Sequence, residues 1–288
     1  MRRFFYQQIK VLKVGETLPV TDDIFHHWCK VLRANVGEQA IFFDGQGGEY
    51  TVTLTQVDKK SAEVQVENFD PINRALPYHV TIGLVMSRGE RMDYAIQKMT
   101  EMGVTAIQLL TSERCEVRLK PDQIEKKLDH WQGVAIAACE QCGLNIVPLI
   151  LSPLPLDNWV LQLTTNIDNL NSEQNFSKYT KQPMAQPTVL KLVLAVPHAR
   201  KDGHDKSVYT TICEQFQTVS APKFHLLIGA EGGLSAEEIT QACEQGFLPW
   251  QIGERVLRTE TAPVVALATL QTLALASQSK FFSSLAPL

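Results

Sequence analysis

The segment LLIGAEGGLSAEEI, Leu226 to Ile239, decides the fold class of this chain. It opens on an apolar run of the kind that fills a strand buried on both faces. Gly229-Ala230-Glu231-Gly232-Gly233 ends the strand. A helix then begins, with Ser235 as N-cap and Glu238 three residues on, which makes a capping box. Strand, glycine loop and helix form the repeating unit of a parallel α/β sheet, where ligands bind just beyond the carboxyl ends of the strands. Three glycines in five positions let the backbone approach a ligand closely or adopt positive φ. The spacing G-x-x-G-G is neither the dinucleotide fingerprint nor a Walker loop, so it carries no phosphate signature. On spacing alone, a ligand loop and a tight structural turn stand side by side.

The same rhythm extends outward. His79–Met86, Val104–Leu110 and Val189–Val196 are further apolar strands. Met92, Ile96 and Met99 mark one helix, stopped by Gly103. Ile124, Leu128, Trp131, Ala135 and Cys139 mark a longer one that Gly143 ends. After Gln251-Ile252-Gly253 comes Glu254-Arg255-Val256-Leu257-Arg258-Thr259-Glu260-Thr261, directly before an almost wholly apolar helix from Ala262. Two arginines and two glutamates before a buried helix are costly unless paired or used. Ser87-Arg88-Gly89-Glu90-Arg91 and Ser112-Glu113-Arg114-Cys115, with Arg118 nearby, also follow strands. Three arginine-bearing loops at one end of a sheet would form a basic face suited to a phosphate backbone.

The first 72 residues read differently. Tyr50, Val52 and Leu54, then Ala62, Val64 and Val66, alternate as half-buried strands do. Gly45–Gly48 reads as a hairpin turn, and Ile24, Phe25, Trp28, Val31 and Leu32 repeat at helical spacing. This predicts a β-meander or small barrel over 1–72, linked through Asp70-Pro71-Ile72-Asn73 to an α/β domain over 73–288. Thr164–Thr188 is polar and reads as a surface insertion.

The chain has 288 residues, 27 Lys plus Arg and 31 Asp plus Glu, for a net charge of −4. That excludes a histone-like polycation but not a local basic patch. No stretch reaches the ~18 apolar residues of a membrane span, since Gln271 interrupts Ala262–Ala276, and no signal-peptide core follows Arg2-Arg3. These features lead to the expectation of a cytoplasmic protein. Cys139 and Cys142 lack the further ligands a zinc site needs, so they read as packed helix cysteines and no metal is expected.

Several motifs in order carry a resemblance: RRFF from Arg2, His27-x-x-x-Val31-Leu32-Arg33, MSRGERMDYAIQKMTEMGV from Met86, SERCEV from Ser112, WQGVAIAACEQCG from Trp131, LLIGAEGGLSAEEI, and GERVLRTET from Gly253. Together they resemble the RsmE-type 16S ribosomal RNA uracil-N3 methyltransferase family, of the SPOUT class, over almost the whole chain. The resemblance implies a PUA-like β-barrel before an α/β trefoil-knot methyltransferase domain, S-adenosylmethionine as cofactor, 16S ribosomal RNA in the small subunit as substrate, and a homodimer. It places the cofactor on Gly229, Ala230, Glu231, Gly232 and Gly233, on Ile252 and Gly253, and on Val256, Leu257, Arg258 and Thr261. Leu194 to His198 would complete the wall. Gly232 is singled out as a position where a side chain would block the cofactor. Arg258 and Glu260 become the catalytic candidates, and Arg2, Arg3, Arg33, Arg88, Arg91 and Arg114 the RNA-binding ones. The chain departs from the family pattern at Ala230, where proline is usual, at Pro263, where alanine is usual, and at Leu144, where arginine is common. The other readings kept open are a SPOUT methyltransferase for another RNA and an inactive RNA-binding relative.

Overall fold

The computed structural model describes residues 1–7, 12–163, 189–194 and 205–278. The predicted insertion at Thr164–Thr188 and His198 lie outside them. The chain divides into two compact units: Met1–Ala75 with Ala135–Val147, and Leu76–Val134 with Pro148–Leu288. The first therefore includes a stretch of chain that a linear reading places in the α/β domain.

The first unit is a five-stranded mixed sheet in the order β1-β3-β4-β5-β2. Its strands are β1 (Arg2–Phe5), β2 (Thr17–Pro19), β3 (Gln39–Phe43), β4 (Glu49–Val57) and β5 (Ala62–Asp70). β1 lies parallel to β3 and the other pairs are antiparallel. The alternation seen in sequence places Val52, Leu54, Val64 and Val66 inward at 0% exposure, with Phe42 and Trp28 among them. The expected helix begins as α1 (Asp22–Ile24) but continues as a π-helical turn, Phe25–Val31. The wider turn buries Phe25 and Trp28 and leaves Val31 59% exposed. Arg33 follows at φ +57°.

The second unit is a six-stranded sheet in the order β11-β9-β10-β6-β7-β8, with every described pair parallel. Its strands are β6 (His79–Val85), β7 (Ala106–Thr111), β8 (Leu149–Pro155), β9 (Val189–Leu194), β10 (Lys223–Ile228) and β11 (Leu248–Trp250). Ile82, Leu84, Leu192, Val193, Leu226 and Leu227 are fully buried, as a sheet covered on both faces requires. The helices are α2 (Glu90–Glu101), α3 (Pro121–Cys142), α4 (Leu156–Gln162), α5 (Asp205–Thr218), α6 (Ala236–Glu244) and α7 (Ala262–Gln278). From Ala135 on, α3 belongs to the first unit.

After edge strand β11 the chain does not stay at that edge. α7 packs against α5 and α2, and Gln271 donates from Nε2 to the carbonyl of Met102 at the end of α2, 2.8 Å away. Ala266, Leu267 and Leu270 of α7 are buried, while Leu275 is 69% exposed. No helix among the described residues is long and apolar enough to cross a membrane. Cys139 is buried and its thiol is pushed up to about 12, chiefly by that burial, whereas Cys142 is exposed.

Candidate functional site

Because the sheet is parallel, all its strands end at one edge, and β11, β9 and β10 are neighbours there. Leu194 pairs with Trp250 at the end of β9 and β11, and β10 ends beside them at Ile228. The three predicted cofactor segments are therefore brought to one place: Gly229–Gly233 after β10, Gln251–Thr261 after β11, and Leu194 at the end of β9.

The glycine loop is a built structure. Gly233 donates its amide to the Ala230 carbonyl at 2.8 Å, which closes the turn without the family's proline. A Cβ on Gly229 would lie 2.8 Å from the Gly233 carbonyl carbon and 2.9 Å from the Leu234 amide nitrogen. Gly233 has φ +69° and open space where a side chain would go. Gly232 needs neither positive φ nor a backbone approach; its Cβ would meet the Arg114 side chain at 3.2 Å. The backbone demand at this loop thus falls on Gly229 and Gly233.

Three side-chain contacts, from the segment after β7 and from the first turn of α2, hold it. Arg114 Nη1 donates to the carbonyls of Gly232, at 2.9 Å, and Leu234, at 3.3 Å. Arg91 Nη1 donates to Glu231 Oε1 at 2.9 Å. The predicted capping box is present: Ser235 Oγ accepts from the Glu238 amide, and Glu238 Oε2 accepts from the Ser235 amide. The other oxygen of Glu238 accepts the amide of Glu113 at 2.8 Å, which ties the segment after β7 to the cap.

The loop after β11 is open by contrast. Among the described residues, the amides of Ile252 through Leu257 donate no main-chain hydrogen bond. Gly253 has φ +77° with nothing within 4 Å of its Cβ position. Ile252 and Leu257 are half-buried, and Val256 is 66% exposed. The segment tightens at its end, where the amides of Thr261 and Ala262 both donate to the Arg258 carbonyl at 2.9 Å. Arg258 and Glu260 lie 3.9 Å apart at their closest charged atoms; the arginine is 79% exposed and the glutamate 15%. Pro263 is buried in the first turn of α7, where its missing amide costs nothing.

The predicted RNA-binding arginines separate into two sets. Arg91 and Arg114 are engaged with the glycine loop, as above. Arg88 pairs with Glu116 at 3.3 Å, both side chains largely exposed. In the first unit, Arg3 is 14% exposed and donates to Glu49 at 2.8 Å, with its guanidinium over the Phe43 ring. It offers little to a phosphate. Arg2 and Arg33 are both exposed. Leu144 is half-buried in the first unit. Among the described residues no group of three metal-ligating side chains gathers.

Sequence reasoning missed Lys127 and Trp131 as neighbours of Ser87, Arg88 and Arg118 around a cavity of about 250 Å³. It missed the clamps on the glycine loop too, which depend on contacts between residues more than a hundred positions apart.

Residues 74–271 match a family model described as an RNA methyltransferase domain, and residues 20–67 match an RNA methyltransferase PUA domain. The ribosomal RNA small subunit methyltransferase E of Buchnera aphidicola is 30% identical, with 88% of this chain and 87% of that protein covered. The protein of that name from Bacillus subtilis is 28% identical, covering 94% and 96%. A crystal structure of a ribosomal RNA small subunit methyltransferase E from Neisseria gonorrhoeae, bound to S-adenosyl methionine, is 33% identical, with TM-score 0.73 and 95% and 98% coverage. With the family model spanning well over half its length in the same order of domains, this chain belongs to the RNA methyltransferase family.

Proposed function

We propose that this chain transfers a methyl group from S-adenosylmethionine to N3 of a uridine in 16S ribosomal RNA, within the small ribosomal subunit and in the cytoplasm. The observation that carries this reading is the open loop at Ile252–Leu257, with its unpaired amides, beside a rigidly held glycine loop at the ends of three adjacent parallel strands. Free amides suit the edge of an adenine and the hydroxyls of a ribose. Gly233 and Gly253 leave room for a ligand to lie against the backbone, so the residues present fit the cofactor. Gly229, Ala230, Glu231, Gly232, Gly233, Ile252, Gly253, Val256, Leu257, Arg258, Thr261 and Leu194 would hold it.

The cofactor supplies a methyl group on a sulfonium, passed on by in-line displacement, so positioning is much of the catalysis. The uridine N3 proton must leave for N3 to act as nucleophile. Glu260, mostly shielded at the mouth of α7, is the group that orients or accepts that proton. Arg258, exposed and 3.9 Å away, offers positive charge to stabilise the negative charge that develops on the uracil carbonyl oxygens as the proton leaves. Arg2, Arg33 and Arg88 contact the RNA, while Arg91 and Arg114 shape the cofactor loop. The chain works as a homodimer: Ala268, Thr272 and Leu275 leave one face of α7 uncovered, and a helix this apolar needs cover.

The test is mass spectrometry of 16S ribosomal RNA from a strain lacking the gene. Loss of N3-methyluridine, restored by the wild-type gene, supports the reading; an unchanged nucleoside profile refutes it. Methylation of a different RNA by the purified protein would favour another substrate.

A further inference from the structure

The cavity at the start of α2 is separate from the cofactor loops. It is lined by Ser87, Arg88 and Gly89 from the end of β6, by Glu116–Leu119 from the segment after β7, and by Lys127 and Trp131 of α3. Four features mark it as a built anion site. Ser87 is 6% exposed, and its Oγ has no hydrogen-bond partner. Gly89, at φ +58°, stands as N-cap of α2 and provides no side-chain cap, so the amides of Glu90 and Arg91 stay open, while that of Met92 donates to the Gly89 carbonyl at 3.1 Å. Arg118 forms no ion pair among the described residues, and Lys127 Nζ sits 5.8 Å over the Trp131 ring. That ring is fixed from behind, since Trp131 Nε1 donates to Asp93 Oδ1 at 3.1 Å and His130 Nε2 meets Asp93 Oδ2 at 2.9 Å.

We propose that this cavity binds a backbone phosphate of single-stranded RNA, held by the first turn of α2, the Ser87 hydroxyl, and the cations Arg88, Arg118 and Lys127. The inference rests on the methyltransferase reading for its choice of ligand. A second cavity, of about 360 Å³, is lined by Glu113–Glu116 with Glu231 and Gly232 of the glycine loop, so Glu116 is common to both. A strand that presents one base to the cofactor loops thus carries a neighbouring phosphate past Glu116 into this cavity. Glu116 now holds Arg88 in a pair exposed by 71% and 70%. Such a pair contributes little and exchanges readily for a phosphate.

The test uses the full chain and labelled octauridylate, followed by fluorescence anisotropy over a range of salt. Arg118→Ala combined with Lys127→Ala should lower the log–log salt slope by about 1.4, at roughly 0.7 per phosphate contact on a single strand. Lys59→Ala combined with Lys223→Ala removes the same charge elsewhere and should leave the slope unchanged. Ser87→Ala keeps the slope but weakens binding roughly tenfold, as loss of a hydrogen bond to a charged group does. Glu116→Gln removes the competing anion and should tighten binding. Equal slopes for the two double variants, or no wild-type binding at low salt, would overturn the proposal. So would stoichiometric binding of inorganic phosphate that octauridylate cannot displace, since the site would then serve a free anion. Calorimetric titration with S-adenosylmethionine runs alongside. Failure of the wild type there counts against the methyltransferase reading, whereas normal cofactor binding with unaltered slopes counts against this site alone.

Discussion

Arg114, on the segment after β7, donates to the carbonyl oxygen of Gly232 at 2.9 Å, across a sequence separation of 118 residues. The same nitrogen reaches Leu234 at 3.3 Å. Two carbonyls that would otherwise splay are fixed by one cation, so the shape of the glycine loop depends on a side chain from the end of β7, two strands away in the sheet. Arg114→Ala should weaken S-adenosylmethionine binding about tenfold by calorimetry. The charged hydrogen bonds lost are worth roughly 1.5–3 kcal/mol when buried and less at this exposed position. Thermal stability should fall by no more than about 1 kcal/mol. An affinity unchanged from wild type would show that the loop holds its shape unaided.

Within the loop, Gly229→Ala should be the most damaging small substitution. Its Cβ would meet backbone atoms at 2.8 and 2.9 Å, and backbone cannot step aside as a side chain can. Gly233→Ala meets no atom but must hold φ +69°, at a cost of roughly 1–2 kcal/mol. Gly232→Ala asks only that the Arg114 side chain yield a few tenths of an ångström. Cofactor titrations should therefore rank the variants with Gly229→Ala weakest and Gly232→Ala nearest wild type. The reverse order would mean that the ligand, not the turn, sets the demand for glycine.

β6, β7, β9 and β10 were legible because strands buried on both faces are apolar throughout, and the capping box at Ser235 and Glu238 because its signal is local; β8 was not, since it carries Ser152, Pro153 and Pro155 and is at most half-buried. Nor were β1 and β11 legible. Arg2–Phe5 carries alternation too short to read, and Leu248–Trp250 is three residues long with a proline in the middle. The first-unit helix looked α-helical because Ile24, Phe25, Trp28 and Val31 share a spacing that α and π turns both satisfy over so short a stretch. The membership of Ala135–Val147 in the first unit was also invisible, since α3 keeps one periodicity across Val134 and Ala135. Candidate site residues were legible where they sit in glycine-rich loops. Their mutual support was not, because Arg91–Glu231 and Glu113–Glu238 exist only once the strand order is known.

Arg3 reads in sequence as an RNA contact, yet in the fold it shares Glu49 with Arg74. Burial pushes the Glu49 carboxyl up, but hydrogen bonds and charge from Arg3 and Arg74 outweigh it and hold the group below the usual carboxylate range. A depressed carboxylate contributes stability at neutral pH that is lost as pH falls through its folded value. Glu49→Gln should cost roughly 2–3 kcal/mol at pH 7, below the full buried-pair range because Arg74 is 43% exposed. The cost should shrink in acid, where the wild-type carboxyl is also neutral. Denaturant melts at neutral and acid pH check this; a cost independent of pH would mean packing, not charge, holds the site.

His225 lies on β10 opposite Lys191 of β9, with Trp159 alongside and a buried Nδ1 that no partner satisfies. Burial first, then the charges of Lys191 and Lys223, lower its pKa from 6.5 to about 4. In the unfolded chain the ring takes up its proton near pH 6.5, so between that pH and about 4 the unfolded state binds more protons than the folded one. Stability from this group is therefore complete above pH 6.5, declines as pH drops toward 4, and levels off below. The span corresponds to roughly 3 kcal/mol by linkage. His225→Phe keeps a ring against Trp159 and removes the titration. Its stability should fall less than that of wild type from pH 7 to pH 4, by about that amount, whatever its offset at pH 7. Parallel stability curves for the two proteins over this range would show that His225 charges as readily in the fold as in the unfolded chain, and that the sheet around it admits water.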